Sequence, residues 1–460
     1  VSDFADELIH LKNTGSWSGG GTPSKANPAY WEGGTIPWVS PKDMKTFEIV
    51  DSQDKITPEA IADSPVRLVP AGSILMVVRS GILAHTFPVA IANTDVTLNQ
   101  DMKAIIPREN IVPKFLAYQL ISQSNTILTN CTKTGTTVSS VETKLLQSLP
   151  VWIPEEAKQE AIVADLDKQL SCLDETTSTL QAIQAKLKQA RASILKAAVE
   201  GRLVETEAEL ARQSGRYYED AVELFERVTL EAATQPEEGR KGKGVLASIK
   251  PDTEVELPEP PEGWTWVRID AVGVVQLGRQ RTPKDHNGPN MCPYMRVANV
   301  FEDRIDLTDV KEMNFTPEEQ ESFRLEYGDI LLNEGQSPHL VGRPAMWRDE
   351  VQNACFQNTL VRFRATDVAL PRYALIVFRA QLQARRYMKI AKITTNIAHL
   401  GAQRFAAVEF PLAPLAEQRR IVAEVERRFS VLDQVEATVN ASLRRCGQLR
   451  QAVLKKAFRG

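Results

Sequence analysis

The chain has 460 residues, 43% of them apolar and 25% charged, with a formal net charge of −4. This is the composition of a soluble globular protein, too long for one hydrophobic core, so two or more domains are expected. The near-neutral balance excludes a chain coated in positive charge, although not local basic surfaces.

In chain order, the opening VSDFADELIH is acidic and lacks the apolar core of a signal peptide. A loop-like GGGTPSKA precedes Asn27-Pro28-Ala29-Tyr30, which resembles the (N/D)PPY tetrapeptide of adenine-N6 methyltransferases. That tetrapeptide must end a buried strand to grip a flipped base. Here it sits in a loop without a glycine-rich cofactor turn, so no methyltransferase site is expected. LVPAGSILMVV (68–78) reads as a turn at Gly72 followed by a strand. Its apolar run is stopped by Arg79 and is far too short to span a bilayer. FLAYQLIS (115–122) reads as a helix.

From Gln159 to Gly201 the apolar residues Ile162, Leu166, Leu170, Leu173, Leu180, Leu187 and Ile194 fall at three- and four-residue steps or their sums. The spacing predicts one long helix with a coiled-coil seam, closed by glycine. The connector 202–262 begins with a charged helix over 206–233, followed by GRKGKG and PDTEVELPEPPEGW as flexible and then extended chain. LEYGDILLNE (325–334) repeats the turn-then-strand pattern with Gly328, and RYALIVFRAQLQARRYM (372–388) reads as a helix. A second long helix runs from Gln418 to Gly460, with Ile421, Val425, Phe429, Leu432, Val435, Val439, Cys446, Leu449 and Val453 as its stripe.

The two halves echo each other. ILKAAVEG (194–201) returns as VLKKAFRG (453–460), 259 residues later, and KQEAIVADL (158–166) returns as EQRRIVAEV (417–425). IPWVSPKDM (36–44) matches CPYMRVANV (292–300) in apolar pattern, and AGSIL matches YGDIL. Thr22-Pro23 recurs as Thr282-Pro283, and Pro154 as Pro414. Matches in one order, with offsets between 256 and 261, are a duplication whose unit is a whole domain plus a helix. The expected fold class is mixed α/β (α+β). Two globular domains in tandem are separated by two long antiparallel helices forming a coiled coil, with pseudo-two-fold symmetry. The expected boundaries are 1–154, first domain; 155–201, central helix; 202–262, connector; 263–413, second domain; and 414–460, final helix. The seam is expected at Ile162, Leu166, Leu173, Leu180, Leu187, Ile194, Ile421, Val425, Leu432, Val439, Leu449 and Val453.

Catalytic signatures are missing. The histidines (His10, His85, His286, His339, His399) have no metal-ligand spacing, and there is no phosphate-binding loop. The cysteines (Cys131, Cys172, Cys292, Cys355, Cys446) are scattered without a C-x-x-C pair, which fits a reducing cytoplasm. Polar candidates instead fall in loops at corresponding places. The first unit offers Lys25, Ser40, Lys42, Arg79, Ser80, Asn99, Gln100, Lys133, Thr134, Thr136 and Thr137. The second offers Arg279, Arg281, Lys284, Arg296, Asn299, Asn333, Gln336, Arg343, Gln357, Asn358, Lys392, Thr394, Thr395 and Asn396. Arg, Asn and Gln can pair bidentately with base edges, whereas Lys and Thr suit phosphates. Residues 263–414 hold 15 Arg against 4 Lys, an excess that favours planar recognition. For any single residue, a solvated surface role outweighs contact by about two to one. A coiled-coil scaffold holding two protein-binding domains is the competing reading, and a self-sufficient methyltransferase a third.

GGGTPSKANPAYWEGGTIPWVSPKDM (19–44), PEGW (261–264), GDIL (328–331) and PLAEQRRIV (414–422), set in the domain–helix–domain–helix plan, resemble the specificity (S) subunits of Type I restriction–modification enzymes. The resemblance covers essentially the whole chain. It implies a non-catalytic DNA-binding subunit in the cytoplasm that recognises a split double-stranded target, one half per recognition domain. It also implies docking of two modification (methyltransferase) subunits and, through them, of restriction (motor and nuclease) subunits. No cofactor is then expected on this chain, since S-adenosylmethionine, ATP and Mg²⁺ belong to the partners. The first unit lacks the PEGW entry, which implies a shortened or differently paired first strand. The chain stops at Gly460 where the first unit continues with RLVETEAEL, implying a longer C-terminus.

Overall fold

The computed structural model describes residues 8–133, 138–234, 257–394 and 396–458. It separates into two compact units, Val1–Ala182 with Val439–Gly460, and Ile183–Thr438. Each unit therefore contains a globular domain and a stretch of both long helices.

In the first unit, strands Gly15–Gly19, Met102–Pro107, Ile74–Val77, Val89–Ala92 and Glu48–Ile49 form one sheet in that order. A smaller sheet orders Asp54–Ile56, Ile36–Val39 and Thr97–Leu98, its last pair parallel. All four residues of Ile74–Val77 are buried, which explains their unbroken apolar run. In the second unit, Gly273–Leu277, Leu360–Ala365, Ile330–Asn333 and Pro344–Met346 form the main sheet, and Lys311–Asn314, Met291–Met295 and Cys355–Phe356 the smaller one. Apart from Glu48–Ile49, which has no counterpart in the four-stranded main sheet of the second unit, the strand orders correspond, so the duplication read from scattered motifs extends to the other main strands.

Among the described residues, the entry strand Leu8–His10 pairs with Pro150–Trp152, and Thr265–Arg268 pairs with Glu409–Leu412. Gly72 and Gly328 have φ +83° and +94°, in the turns where they were expected. Two expected helices are each broken. The connector helix is two, Glu207–Ser214 and Ala221–Thr234, because Gly215 takes a left-handed cap at φ +61°. The segment 372–388 is Pro371–Gln383 followed by Arg386–Ile390, separated where Arg385 turns left-handed at φ 56°. GRKGKG lies outside the described residues.

The long helices run Glu156–Val199 and Leu415–Ala457. In the first unit, Leu166, Leu170 and Leu454 share a buried cluster with Phe115 and Tyr118, and Arg450 pairs with Asp174. In the second, Arg191 pairs with Asp433 and Glu436 while Leu195 and Ala198 share the core with Ile421, Val422 and Val425. Residue numbers rise on one helix as they fall on the other within each unit, so the pairing is antiparallel. Leu166, Leu187, Ile421, Val425 and Val439 are buried; Ile162, Leu173, Leu180, Ile194, Leu432 and Val453 are half-buried. Leu449 departs from the expected seam, at 44% exposure, and Val435, expected in the apolar stripe, is 40% exposed. At ~100° per residue the buried Val439 and Cys446 and the half-buried Val453 lie close to one line, and Leu449 falls ~60° to the side of Cys446.

Each helix is fastened to its domain by the same contacts. Gln159 is fully buried; its Nε2 donates to the Pro154 and Asn110 carbonyls, and its Oε1 accepts from Val112 N–H. Gln418 does the same with the Ala413 and Val368 carbonyls and Leu370 N–H. The counterpart of Pro154 is therefore Ala413, one residue before the Pro414 that sequence matching pairs with it. Lys114 reaches Asp167 at 3.3 Å, and Arg372 reaches Glu426 at 2.6 Å.

Candidate nucleic-acid interface

Sheet register sends the candidate loops of each unit out at one end. Gly19 pairs with Lys103 and Val77 with Met102, so the loops after 19 and 77 and before 102 leave together. Parallel pairing of Val39 with Leu98 adds the loops after 39 and 98. The second unit repeats this with Leu277 opposite Val361, Asn333 opposite Leu360, and Met295 beside Phe356. Glycine permits the closest approach in both. A Cβ on Gly20 would lie 1.7 Å from the Asn99 carbonyl oxygen, and one on Gly278 2.2 Å from that of Gln357. The GGG run thus lets the first loop lie against the loop carrying Asn99 and Gln100.

Within the first unit, the Thr22 hydroxyl donates to Gln100. Asp101, which sequence reasoning missed, gathers Arg79 Nε at 2.7 Å and Asn99 Nδ2 at 3.3 Å. Ser80 caps the short turn 81–84, and its N–H reaches Ser139. Ser40 is buried, with its hydroxyl on Asp43 at 2.8 Å. Lys42 pairs with Asp54 at 2.7 Å and Lys133 with Glu142 at 2.8 Å. Lys25 is exposed and has no ion pair among the described residues. Thr134, Thr136 and Thr137 lie outside the described residues.

In the second unit, Arg279 lies between Asp285 and Glu319, at 2.9 and 2.8 Å, with its guanidinium over Phe315. Arg279 holds the Asp285 carboxyl down to about 2, helped by Thr282 donors. Arg296 pairs with Asp309. Asn299 is buried and donates to the Asp306 and Asp309 carbonyls. Asn333 is fully buried and donates to the Val300 carbonyl, which also accepts from Arg343 at 2.6 Å. Burial pushes the Arg343 guanidinium below its usual range; it stacks on Phe301 at 4.6 Å, as does Arg304. Gln336 accepts from the Ser337 N–H. The backbones of Gln357 and Asn358 bond to Met295 and Arg279, leaving both side chains half-buried. Arg281, Lys284, Lys392, Thr394 and Asn396 are exposed; Thr395 lies outside the described residues.

The arginine excess in this region has a structural use. Arg268, Arg348, Arg362, Arg364, Arg379 and Arg386 all form ion pairs inside the unit. Among the described residues of 263–414, the arginines without an ion pair are Arg281, Arg324, Arg343, Arg385 and Arg404. Composition alone overstated the number available to a ligand. Apart from Asp270, two residues from Arg268, the neutralising carboxylates of these arginines come from distant strands and loops, which hid them from the sequence.

No group of three or more His, Cys, Asp or Glu among the described residues is placed to hold a metal ion. No described helix is long and apolar enough to cross a membrane.

Residues 7–189 match the model of the Type I restriction modification DNA specificity domain. The chain is 43% identical over 175 residues to the Type I restriction enzyme EcoR124I/EcoR124II specificity subunit of Escherichia coli, covering 36% of this chain and 43% of that one. It is 25% identical over 328 residues to the EcoKI specificity subunit of Escherichia coli (strain K12), covering 71% and 60%. It thus spans about half the length of these curated relatives. A solved chain from work on complex assembly and conformational transition of the type I R-M system superposes with a TM-score of 0.64 at 17% identity, covering 99% of this chain and 97% of that one. That likeness carries the tandem-domain fold with its long helices. Residues 7–189 thus match the Type I restriction modification DNA specificity domain, and over most of its length the chain is similar to specificity subunits of Type I restriction enzymes.

Proposed function

We propose that this chain is the non-catalytic DNA-reading subunit of a Type I restriction–modification complex. Each unit recognises one half of a bipartite target through its loop end. Adenine-N6 modification subunits dock on the chain and bring in the restriction subunits. S-adenosylmethionine, ATP and Mg²⁺ are bound by those partners, and the assembly works in the cytoplasm. The observation that carries this reading is the loop cluster built twice on one chain, each copy fastened to its long helix by the same buried glutamine.

Exposed Lys25, Lys284 and Lys392 suit phosphate contact, and Arg281 and Arg343, which lack a carboxylate partner, suit base edges. Asn299 and Asn333 act from inside the fold, holding the loops that carry the reading groups. The test is to express the chain with its modification subunits, map modified adenines genome-wide, and measure binding of the mapped target across salt. A two-part target with steep salt dependence is expected. Association with modification subunits but no sequence-selective binding would leave a scaffold instead.

A further inference from the structure

In the second unit, strands Lys392–Thr394 and Ile397–His399 form an exposed hairpin, paired on its other side to Gly335–Gln336. Strand alternation places Ile393, Ala398 and Gln336 on one face and Lys392, Thr394, Ile397 and His399 on the other. Ala398 is fully buried in the domain core, so its face turns inward at the base of the hairpin, although Ile393 on the same face is 54% exposed. On the outer face Ile397 is 49% exposed, directly opposite the exposed Thr394. An uncovered branched side chain on an edge hairpin invites unwanted pairing unless a partner covers it.

The charge around the hairpin says which partner. Residues 368–408 contain seven Lys or Arg and no Asp or Glu. Arg372, Arg379 and Arg386 are committed to carboxylates from elsewhere in the unit. Arg385, Lys389, Lys392 and Arg404 are exposed and have no ion pair among the described residues. Arg404 donates to the His399 carbonyl at the hairpin base. The carboxylate that meets the hairpin, Glu334, is engaged by His399 Nδ1 at 3.2 Å. A ribbon with exposed isoleucines, Ile397 on the face that carries Lys392 and Thr394 and Ile393 on the other, among uncompensated cations fits a polyanion that displays isolated apolar groups. The major groove of duplex DNA admits a two-stranded ribbon and displays one such group, the thymine C5-methyl.

We infer that Ile397, flanked by the Thr394 methyl, is a specificity-determining residue that packs on a thymine methyl in the major groove, with Lys392 on the neighbouring phosphate. The inference rests on the DNA-reading function proposed above and names the group that this hairpin recognises. The test uses the full chain with its modification subunits and duplexes carrying the mapped target, each thymine of the second unit's half-site replaced in turn by deoxyuridine. One replacement should weaken wild-type binding about three- to five-fold, the factor for one buried methyl group. Ile397→Ala should lose a similar factor on the thymine duplex and become indifferent to that replacement, while Ile397→Val should retain sensitivity. Equal binding of every deoxyuridine duplex by the wild type would overturn the inference, as would undiminished sensitivity in Ile397→Ala. Absence of any preference for the target over unrelated duplex would instead overturn the DNA-reading function itself.

Discussion

Two buried polar residues show how single side chains hold the domain–helix junctions. Gln418, itself fully buried, satisfies the Leu370 N–H and the buried Val368 and Ala413 carbonyls. Gln418→Leu keeps the volume but orphans all three, at about 1–3 kcal/mol per buried group before relaxation. Chemical denaturation should show the second unit destabilised by roughly 2–4 kcal/mol; a loss below ~0.5 kcal/mol would remove Gln418 from this role. Glu417 is fully buried and accepts from Glu207 N–H at 2.8 Å and Trp264 Nε1–H at 2.9 Å. Burial raises its carboxyl from the ordinary 4.5 to about 7. Between those values the native state holds a proton that the unfolded chain has released. Stability is therefore full below pH ~4.5 and declines as pH rises towards 7, by on the order of 3 kcal/mol. Glu417→Gln keeps an acceptor and removes the titration, so its unfolding free energy should be flatter from pH 5 to 8 than that of the wild type. Equal slopes would assign the pH dependence elsewhere.

At the scale of elements, the long helices were legible because their apolar spacing is local and regular, and their lengths were read to within a few residues. The loop end was legible in part, since strand register follows from burial patterns, but its electrostatics were not. Asp101, Asp285, Glu319 and Asp309 meet their arginines across separate loops and strands, and no local pattern announces them. Leu449 is exposed because it falls ~60° to the side of the line through Val439, Cys446 and Val453. This difference has a direct consequence for stability. Leu454 is 1% exposed and packs in the cluster of Leu166 and Leu170, whereas Leu449 is 44% exposed. Leu454→Asp buries an unpaired carboxylate and should cost at least ~3 kcal/mol, whereas Leu449→Asp should stay within ~0.5 kcal/mol. Thermal unfolding of the two variants compares them; equal losses would restore Leu449 to the seam.

For the whole molecule, duplication is the organising fact, and it was legible as scattered matches before the strands were known. The matched helices serve nothing obvious in two independent domains, which motivates the proposal that they set the distance between half-sites. Inserting four residues into each, near Gln184 and Leu443, adds ~6 Å of helix, close to two base pairs of duplex. A four-residue insertion is a stutter that coiled coils absorb by local unwinding. The modified target should keep both half-sites and gain one or two base pairs of spacer. An unchanged spacer with full activity would detach spacing from the helices.

The central claim is that each unit reads its own half of the target. Its most direct test exchanges residues 263–413 for the second domain of another Type I specificity subunit, followed by mapping of modified adenines in cells that also carry the modification subunits. The account predicts a new sequence in one half-site and the original sequence in the other. Simultaneous change of both half-sites, or of neither, in an active chimera would contradict it.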